Sequence, residues 1–389
     1  MKYDFDKIIE RQNTYSLKYS PALRGKPLDV LPMWVADMDF SAPPCVQNAL
    51  AERAKHGIFG YSEPDDLYFS VLQSWFEKRF DWHIDEKWLA ITPSVVNAIY
   101  LAIRAFTKAD GGVLIQQPVY YPFEAAVKQT GRKLLVNELV YKDGKYGIDF
   151  EDFEKKAEQA ELFVLCNPHN PVGRVWTSDE LMRMGEICLK HKVIVVSDEI
   201  HQDFIFQGHK HIVFSKLDSR FAEITITCTS PSKTFNLAGM LHANNFISNK
   251  DIFNKFKKEY ESCGLAQPGV MGLVACKAAY EGGAEWVDEL VCYLQGNMSL
   301  IREFLQTNIP QIKLVEPEGT YLAWLDCSGL GLSANELDYA VTNKAKLWLN
   351  NGPVFGLGGK GFQRLNAACP RSVLQSGLER LLSLGRNEK

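Results

Sequence analysis

The chain has 389 residues, a hydrophobic content of 46% and a formal net charge of −4. This length and apolar content predict a large core and two domains, and the slightly acidic balance argues against a nucleic-acid or anionic-membrane surface. Nine cysteines without a C-x-x-C pair predict reduced thiols rather than a disulfide framework or a zinc site. The amino terminus lacks a signal-peptide core and no apolar run is long enough to span a bilayer, so we expect a cytoplasmic protein that binds small molecules.

The first 45 residues contain an apolar stretch, 31–40, that is punctuated by Asp and bounded by prolines, which predicts an ordered arm rather than a domain. Residues 46–56 have a helical pattern. The loop that follows, 57–62, is bracketed by glycines, which let it bend sharply and present Tyr61 outward.

An apolar run at 88–92 predicts a strand, and a helical segment continues from there to about residue 106. Ser94 can cap this helix. The first-turn backbone amides of Val95 and Val96 are candidates for binding a phosphate, because a helix N-terminus offers unpaired donors and a favourable dipole. A further apolar run at 113–117 leads to Tyr120 and Tyr121, either of which offers a flat aromatic face.

Three more apolar runs end in polar residues. Residues 161–166 lead to Asn170, residues 193–196 lead to Asp198, and a β-branched run from 224 leads to Lys233. Ser230 and Ser232 flank the lysine with hydroxyls that can hold a phosphate.

Ligands of open α/β sheets bind beyond the carboxyl ends of the strands, so these polar groups can converge on one site. Pyridoxal phosphate (PLP) needs what they offer: an amine that forms a Schiff base, an acid for the ring nitrogen and a donor to the phenolic oxygen. Lys233, Asp198 and Asn170 are the respective candidates.

The motifs Asn-Pro-His-Asn-Pro-Val-Gly (167–173), Ser-Asp-Glu-Ile-His (197–201) and Ser-Pro-Ser-Lys-Thr-Phe-Asn (230–236) resemble those of fold-type I, aspartate aminotransferase-like PLP enzymes. The resemblance is strongest to their MalY/PatB branch of cysteine-S-conjugate β-lyases, and it covers essentially the whole chain. It implies an α/β fold, with a large domain built on a mainly parallel central sheet and a smaller α/β domain.

The resemblance also implies roles for single residues. Tyr121 matches the aromatic residue that stacks on the pyridine ring, with Tyr120 as a competing assignment, and His201 stands where many aminotransferases place a tyrosine that bonds the phenolic oxygen. Arg364 matches the clamp of the substrate carboxylate, a task that suits a planar bidentate donor. The backbone at Ala36 would lie near the same carboxylate.

The resemblance also implies that Tyr121 and Asn170 contact the substrate as well as the cofactor. Tyr61 would reach the cofactor phosphate of a neighbouring subunit, which implies a homodimer.

In the second half of the chain we expect a strand at 242–248, helices from 250 and a long helix over 286–307. A strand at 320–326, a helix over 334–348 and a strand at 362–366 would follow. The large domain would span 46–288, and residues 1–45 with 289–389 would form the small one. Residues 356–361 match the G-x-G-x-x-G spacing, but a predicted strand follows them instead of a helix, so we discount a dinucleotide site.

The predicted function is a homodimeric PLP-dependent carbon–sulfur β-lyase that cleaves cystathionine or related cysteine S-conjugates to thiol, pyruvate and ammonia. An aminotransferase that uses the same Lys233, Asp198, Asn170 and Arg364 is the alternative, since fold cannot separate the two. A PLP-binding regulatory or interaction protein is a further alternative of another class.

Overall fold

A computed structural model describes residues 2–265 and 267–385 of the chain. Its α-helices are α1 (Pro44–His56), α2 (Asp66–Phe80), α3 (Val95–Phe106), α4 (Pro122–Gln129), α5 (Phe150–Ala157), α6 (Ser178–His191), α7 (Phe214–Leu217), α8 (Ser219–Ala222), α9 (Pro231–Thr234), α10 (Lys250–Ser262), α11 (Val270–Gly282), α12 (Ala284–Asn308), α13 (Ala334–Tyr339) and α14 (Arg371–Gly385).

The strands are β1 (Leu31–Pro32), β2 (Leu89–Thr92), β3 (Gly112–Gln117), β4 (Lys133–Glu138), β5 (Val140–Lys142), β6 (Lys145–Gly147), β7 (Ala160–Cys166), β8 (Ile194–Asp198), β9 (Thr225–Thr229), β10 (Ala243–Phe246), β11 (Lys313–Leu314), β12 (Leu322–Asp326), β13 (Leu347–Trp348), β14 (Asn350–Asn351) and β15 (Phe362–Asn366).

A seven-stranded sheet in the order β2-β10-β9-β8-β7-β3-β4 forms the centre of the fold. Strands β4, β3, β7, β8 and β9 pair in parallel, and β10 is antiparallel to both of its neighbours. The inner parallel strands β3, β7, β8 and β9 are almost entirely buried, as expected of a sheet covered by helices on both faces, whereas the edge strand β4 is partly exposed. The prediction of a mainly parallel central sheet is confirmed.

This topology brings several strand ends to one edge of the sheet. Cys166, Asp198 and Cys228 lie side by side at the carboxyl ends of β7, β8 and β9. Thr92 of β2 and Thr229 of β9 both lie beside the start of β10, which is antiparallel to the two strands. The loops after β2, β3, β7, β8 and β9 therefore share one edge.

A second, antiparallel sheet in the order β11-β12-β15-β14 lies in the carboxyl-terminal part of the chain. The arm reaches it, because β1 pairs in parallel with β13. Trp34 of the arm stacks on Trp348 with ring centroids 4.3 Å apart.

The predicted helix over 334–348 is wrong in its second half. The helix proper ends at Tyr339, a π-helical turn covers Ala340–Lys344, and Trp348 lies on β13. The pairing of β13 with β1 and the tryptophan stack replace helical bonds there. Both partners are more than 300 residues away in the chain, so no local pattern signals the contact.

The largest apolar core joins the arm, α2, α11, α12 and the carboxyl-terminal sheet. Helix α12 contributes nine buried residues along its length and so runs through this core. The two remaining clusters lie around the central sheet. Among the described residues, no helix combines the length and apolar composition that crossing a bilayer requires.

Candidate active site

Lys233 lies on the short helix α9, directly after β9. Ser230 caps this helix, since its hydroxyl oxygen accepts a hydrogen bond from the Ser232 amide at 3.0 Å. The Lys233 amine donates to the carbonyl oxygen of Ala36 at 3.2 Å, which brings the arm to the site. Burial lowers the pKa of Lys233 to about 8. A lysine in this state is neutral in a useful fraction near neutral pH and can act as nucleophile or base.

Asp198 is a buried carboxylate without a positively charged side chain in contact with it among the described residues. Among the described residues its carboxylate accepts one hydrogen bond, from the Ile200 amide at 3.1 Å. Burial raises the pKa of Asp198 to about 7, against the opposing pull of Lys233. Isolated buried carboxylates are costly, so the site suits a group that brings a positive charge to this position.

Arg364 joins three parts of the chain. Its guanidinium donates to Asn170 Oδ1 at 3.0 Å, to the Trp34 carbonyl at 3.0 Å and to Asn350 Oδ1 at 2.6 Å. It also lies 4.7 Å from the centre of the Phe355 ring. Its Nε is buried without a partner among the described residues, which leaves a donor for an incoming acceptor.

Asn170 gives its side-chain oxygen to Arg364, which leaves the amide nitrogen to donate elsewhere. His201 is buried beside Tyr321, with ring centroids 5.8 Å apart, and its Nδ1 has no partner among the described residues. Burial lowers the pKa of His201 to about 3, so the ring is neutral. Both side chains can donate to a phenolic or phenolate oxygen.

Ser94 caps α3 as predicted, because its hydroxyl accepts from the Asn97 amide at 3.0 Å. The amides of Val95 and Val96 lie in the first helical turn, where amides have no intrahelical carbonyl partner. Across the start of β10, Ser230 lies at the end of β9. The predicted phosphate ligands therefore lie on adjacent loops of one sheet edge.

The two serines beside the lysine differ in what they have to offer a ligand. The Ser230 hydroxyl donates to the His242 carbonyl at 2.6 Å and is buried. The Ser232 hydroxyl is 2.7 Å from that of Ser230 and is half-buried. Ser232 is the more available of the two, and Ser230 shapes the turn.

Tyr120 and Tyr121 occupy different depths. Tyr121 is 42% exposed, whereas Tyr120 is half-buried, and burial raises the pKa of its hydroxyl while the charges of Arg364 and Asp198 also act on it. Tyr120 thus faces the interior of the site and Tyr121 its mouth. Tyr121 as the stacking residue stays a prediction. Tyr120 is the stronger candidate for that role, because it is the more buried of the two.

Tyr61 is 97% exposed, unlike the other predicted side chains. It lies in a loop with the exposed residues Ile58 and Phe59, beside a cavity of about 900 Å³ that Leu241 also lines. Within one chain it forms no side-chain hydrogen bond with the site residues that the structure describes.

Sequence reasoning missed two residues that hold the site together. Asn350 fixes Arg364, and Tyr321 donates its buried hydroxyl to the Ala36 carbonyl at 2.6 Å. Tyr321 belongs to the predicted strand 320–326, where a period-two pattern shows only that it is buried. His211 is buried, and its Nε2 lies 2.8 Å from Glu199 Oε2.

Residues 29–381 match the model of the aminotransferase class I and II family. The chain is 44% identical over 382 residues to cystathionine beta-lyase PatB of Bacillus subtilis (strain 168), with 97% of this chain and 98% of that protein covered. It is 34% identical to protein MalY of Escherichia coli (strain K12), with 98% of each covered. Among solved structures it is similar to PLP-containing cystalysin from Treponema denticola, with a TM-score of 0.95, 39% identity and 99% of each chain covered.

Proposed function

The chain belongs to the aminotransferase class I and II family, and on that premise we propose that it is a PLP-dependent carbon–sulfur β-lyase that cleaves cystathionine or related cysteine S-conjugates. The products are a thiol, pyruvate and ammonia. The MalY/PatB branch and the PLP cofactor predicted from the motifs are confirmed by the relatives.

The observation that carries the proposal is that the half-buried Lys233 lies at the same sheet edge as the buried Asp198, whose carboxylate has no cationic side chain in contact with it among the described residues. Lys233 suits the covalent attachment of an aldehyde, and Asp198 suits a protonated ring nitrogen. When bound, PLP supplies the ring that delocalises the electron pair left on the substrate Cα. The unpaired His201 nitrogen and the free Asn170 amide are suited to its phenolic oxygen, and the loops of Ser94 and Ser232 to its phosphate.

The chain's own residues then have separable tasks. Arg364 would bind the substrate α-carboxylate, because its Nε is unpaired and its guanidinium is already oriented by Asn170 and Asn350. Lys233 would remove the Cα proton, since burial holds its pKa near the pH at which a base is useful. Tyr120 would face the ring and Tyr121 the departing group.

Lyase and aminotransferase activities differ in what happens after Cα is deprotonated. Loss of the β-thiolate gives the lyase products, whereas transamination keeps the sulfur substituent and needs a keto acid to accept the amino group. His201 in place of a tyrosine and the arm over the site favour the lyase. The names of PatB, a cystathionine beta-lyase, and of a similar solved structure, a C–S lyase from Staphylococcus hominis, point the same way.

Turnover of L-cystathionine without any added keto acid tests the proposal. We expect steady formation of pyruvate and of a free thiol in equal amounts. A requirement for a keto-acid acceptor would instead identify an aminotransferase. Lys233→Ala is the control that should abolish both activities.

We further propose that the enzyme is a homodimer in which Tyr61 completes the neighbouring site. Tyr61 is almost fully exposed, and Ile58 and Phe59 on the same loop are 66% and 59% exposed. This cluster supports the proposal, because large apolar groups clustered on a surface are typical of an interface. For the domains, we propose residues 46–288 as the large one and residues 1–45 with 289–389 as the small one, because the central sheet and the carboxyl-terminal sheet are separate. The cytoplasm stays the proposed compartment.

A further inference from the structure

The amine of Lys233 rests against the arm. Its acceptor, the Ala36 carbonyl, also accepts from the Tyr321 hydroxyl, so two donors from different domains hold one backbone oxygen. Asn366 fixes the same stretch from the other side by donating to the carbonyls of Val35 and Asp37. The backbone at Ala36 is therefore a rigid support for the amine, and the side chain that follows it is Asp37.

The Asp37 carboxylate is only half satisfied. Its Oδ2 pairs with Arg11, whereas its Oδ1 is buried and has no partner among the described residues. Arg11 also pairs with Asp39, which in turn holds the buried Lys18 at 2.7 Å. This charged cluster anchors the arm and leaves one carboxylate oxygen unused.

The charged groups that act on the pKa of the Lys233 amine are Asp37, Asp198 and Arg364. The neutral His201 and the Tyr321 hydroxyl complete the set. Of the charges that favour the protonated amine, Asp37 is the largest contributor, ahead of Asp198, although burial still lowers the pKa to about 8.

A base that removes a proton becomes an ammonium, and a buried ammonium is costly without a counter-charge. Asp198 is not available for this purpose under the proposed function, because it serves the ring nitrogen. Arg364 carries a positive charge of its own. The remaining carboxylate is Asp37, which directly follows the Ala36 carbonyl that holds the amine and has one buried, unpartnered oxygen among the described residues.

We propose that Asp37 is a positioning residue for Lys233, whose unpaired oxygen stabilises the ammonium that Lys233 becomes when it removes the substrate Cα proton. The proton moves from Cα to Nζ and the C–H electron pair stays with the substrate. The C–S bond then breaks with its electron pair leaving on sulfur, and the ammonium returns its proton to that sulfur. The inference rests on the proposed lyase function.

The test measures Lys233 directly. The full-length chain is freed of cofactor with hydroxylamine, and the pH dependence of Lys233 acetylation by acetic anhydride is followed by mass spectrometry, since only the neutral amine reacts. Asp37→Asn should move the midpoint to lower pH by roughly half a unit or more, because a carboxylate that favours the ammonium is lost. Arg11→Gln should move it to higher pH, because Asp37 is then no longer neutralised.

Asp39→Asn is the matched control. It breaks ion pairs with the same Arg11 and with Lys18, but Asp39 is not among the charges that act on Lys233, so the midpoint should stay in place. A midpoint that moves no further in Asp37→Asn than in Asp39→Asn overturns the proposal. So does a shift of Arg11→Gln in the same direction as Asp37→Asn.

The loaded enzyme gives a second measurement. Asp37→Asn should lower kcat for L-cystathionine about tenfold or more and leave KM nearly unchanged, since a tenfold loss corresponds to 1.36 kcal/mol of barrier. A raised KM with unchanged kcat would place Asp37 in substrate binding and contradict the proposal. The acetylation experiment does not depend on turnover, so failure of the lyase assignment is recognised separately.

Discussion

At the scale of single residues, the site is a set of buried polar groups whose partners are incomplete. Burial raises the pKa of Asp198 to about 7 and lowers that of Lys233 to about 8, which moves both groups toward their neutral forms. Opposite shifts of this kind in one cleft are typical of catalytic acid–base pairs. Burying these two groups costs free energy of folding, and a charged, covalently bound cofactor would offset that cost.

Lys233 should carry the cofactor. We expect borohydride treatment of the enzyme as purified to leave PLP covalently attached to Lys233, because reduction fixes an imine to the amine that formed it. Peptide mapping by mass spectrometry locates the label. Attachment to another lysine, or none, would contradict the assignment.

Asp198→Asn should keep the fold and lose most turnover, since an amide cannot stabilise a protonated ring nitrogen as a carboxylate does. The measurement is kcat for L-cystathionine with cofactor occupancy determined by absorbance. Turnover within a factor of about three of the unmodified enzyme, less than 1 kcal/mol of barrier, would mean that another residue serves the ring nitrogen.

Removal of the cofactor should reveal a pH-dependent penalty at Asp198. Its pKa in the folded chain, about 7, lies above the value of about 3.9 in an unfolded chain, so the folded state binds more protons between these values and loses stability as pH rises through them. We expect cofactor-free Asp198→Asn to unfold at higher urea concentration than the cofactor-free parent at pH 8. The difference, on the order of 4 kcal/mol for these two pKa values, should shrink toward pH 4.

A difference that is the same at both pH values would show that Asp198 is not buried as a charged group in the absence of cofactor. Urea midpoints with unchanged slopes are the appropriate comparison, because a changed slope would indicate a different unfolded state.

Sequence reasoning identified Lys233, Asp198, Asn170 and Arg364 because each ends a recognisable strand or lies in a motif. Tyr321 could not be found in this way, since its role is a hydrogen bond to a backbone carbonyl 285 residues away. Such contacts depend on how two sheets pack against each other, so the residues next to Tyr321 in the sequence give no signal for them.

At the scale of elements, the N-terminus of helix α3 should contribute both to stability and to PLP binding. Ser94→Ala removes the cap and should cost about 1 kcal/mol of stability, and it should also weaken PLP binding if the first-turn amides hold the phosphate. Urea unfolding of the cofactor-free chain and equilibrium titration with PLP measure the two effects.

Ser333→Ala is the matched control, because Ser333 caps α13 through a capping box on the opposite part of the chain. It should lower stability by a similar amount and leave PLP affinity unchanged. Equal losses of PLP affinity in both variants would show that the effect of Ser94 comes from general destabilisation.

Apolar runs predicted most of the strands of the central sheet, since buried parallel strands are continuous in hydrophobicity. The antiparallel insertion of β10 and the partial helix after residue 334 were not predictable in this way. In both places the outcome is decided by pairing: β10 pairs with β2, more than 150 residues earlier, and β13 pairs with β1. Local propensity cannot rank such partners.

At the scale of the whole molecule, the proposed dimer makes each site depend on two chains. A Lys233→Ala chain and a Tyr61→Ala chain, each weak or inactive alone, should complement when they are unfolded and refolded together. Random pairing of equal amounts gives about half hybrid dimers, each with one intact site of two, so about a quarter of the full activity should return.

Tyr61→Ala must first be shown to be strongly impaired, and hybrid formation is checked with an affinity tag on one chain. Phe59→Ala, which changes an exposed aromatic residue on the same loop, is the control for a general effect on assembly. Hybrid dimers without recovered activity would show that Tyr61 does not act across the interface.

Arg364 gives the molecule a mechanical connection as well as a binding group. One guanidinium ties a loop of the central sheet (Asn170), the arm (Trp34) and the carboxyl-terminal sheet (Asn350). Under the proposed function, a substrate carboxylate bound by this guanidinium would contact a side chain that is hydrogen-bonded to all three parts, so its binding would favour the arrangement in which they are held together. A substrate without that carboxylate would lack this shared contact. The enzyme would then lose the alignment of the bond to be broken as well as the affinity of one ion pair.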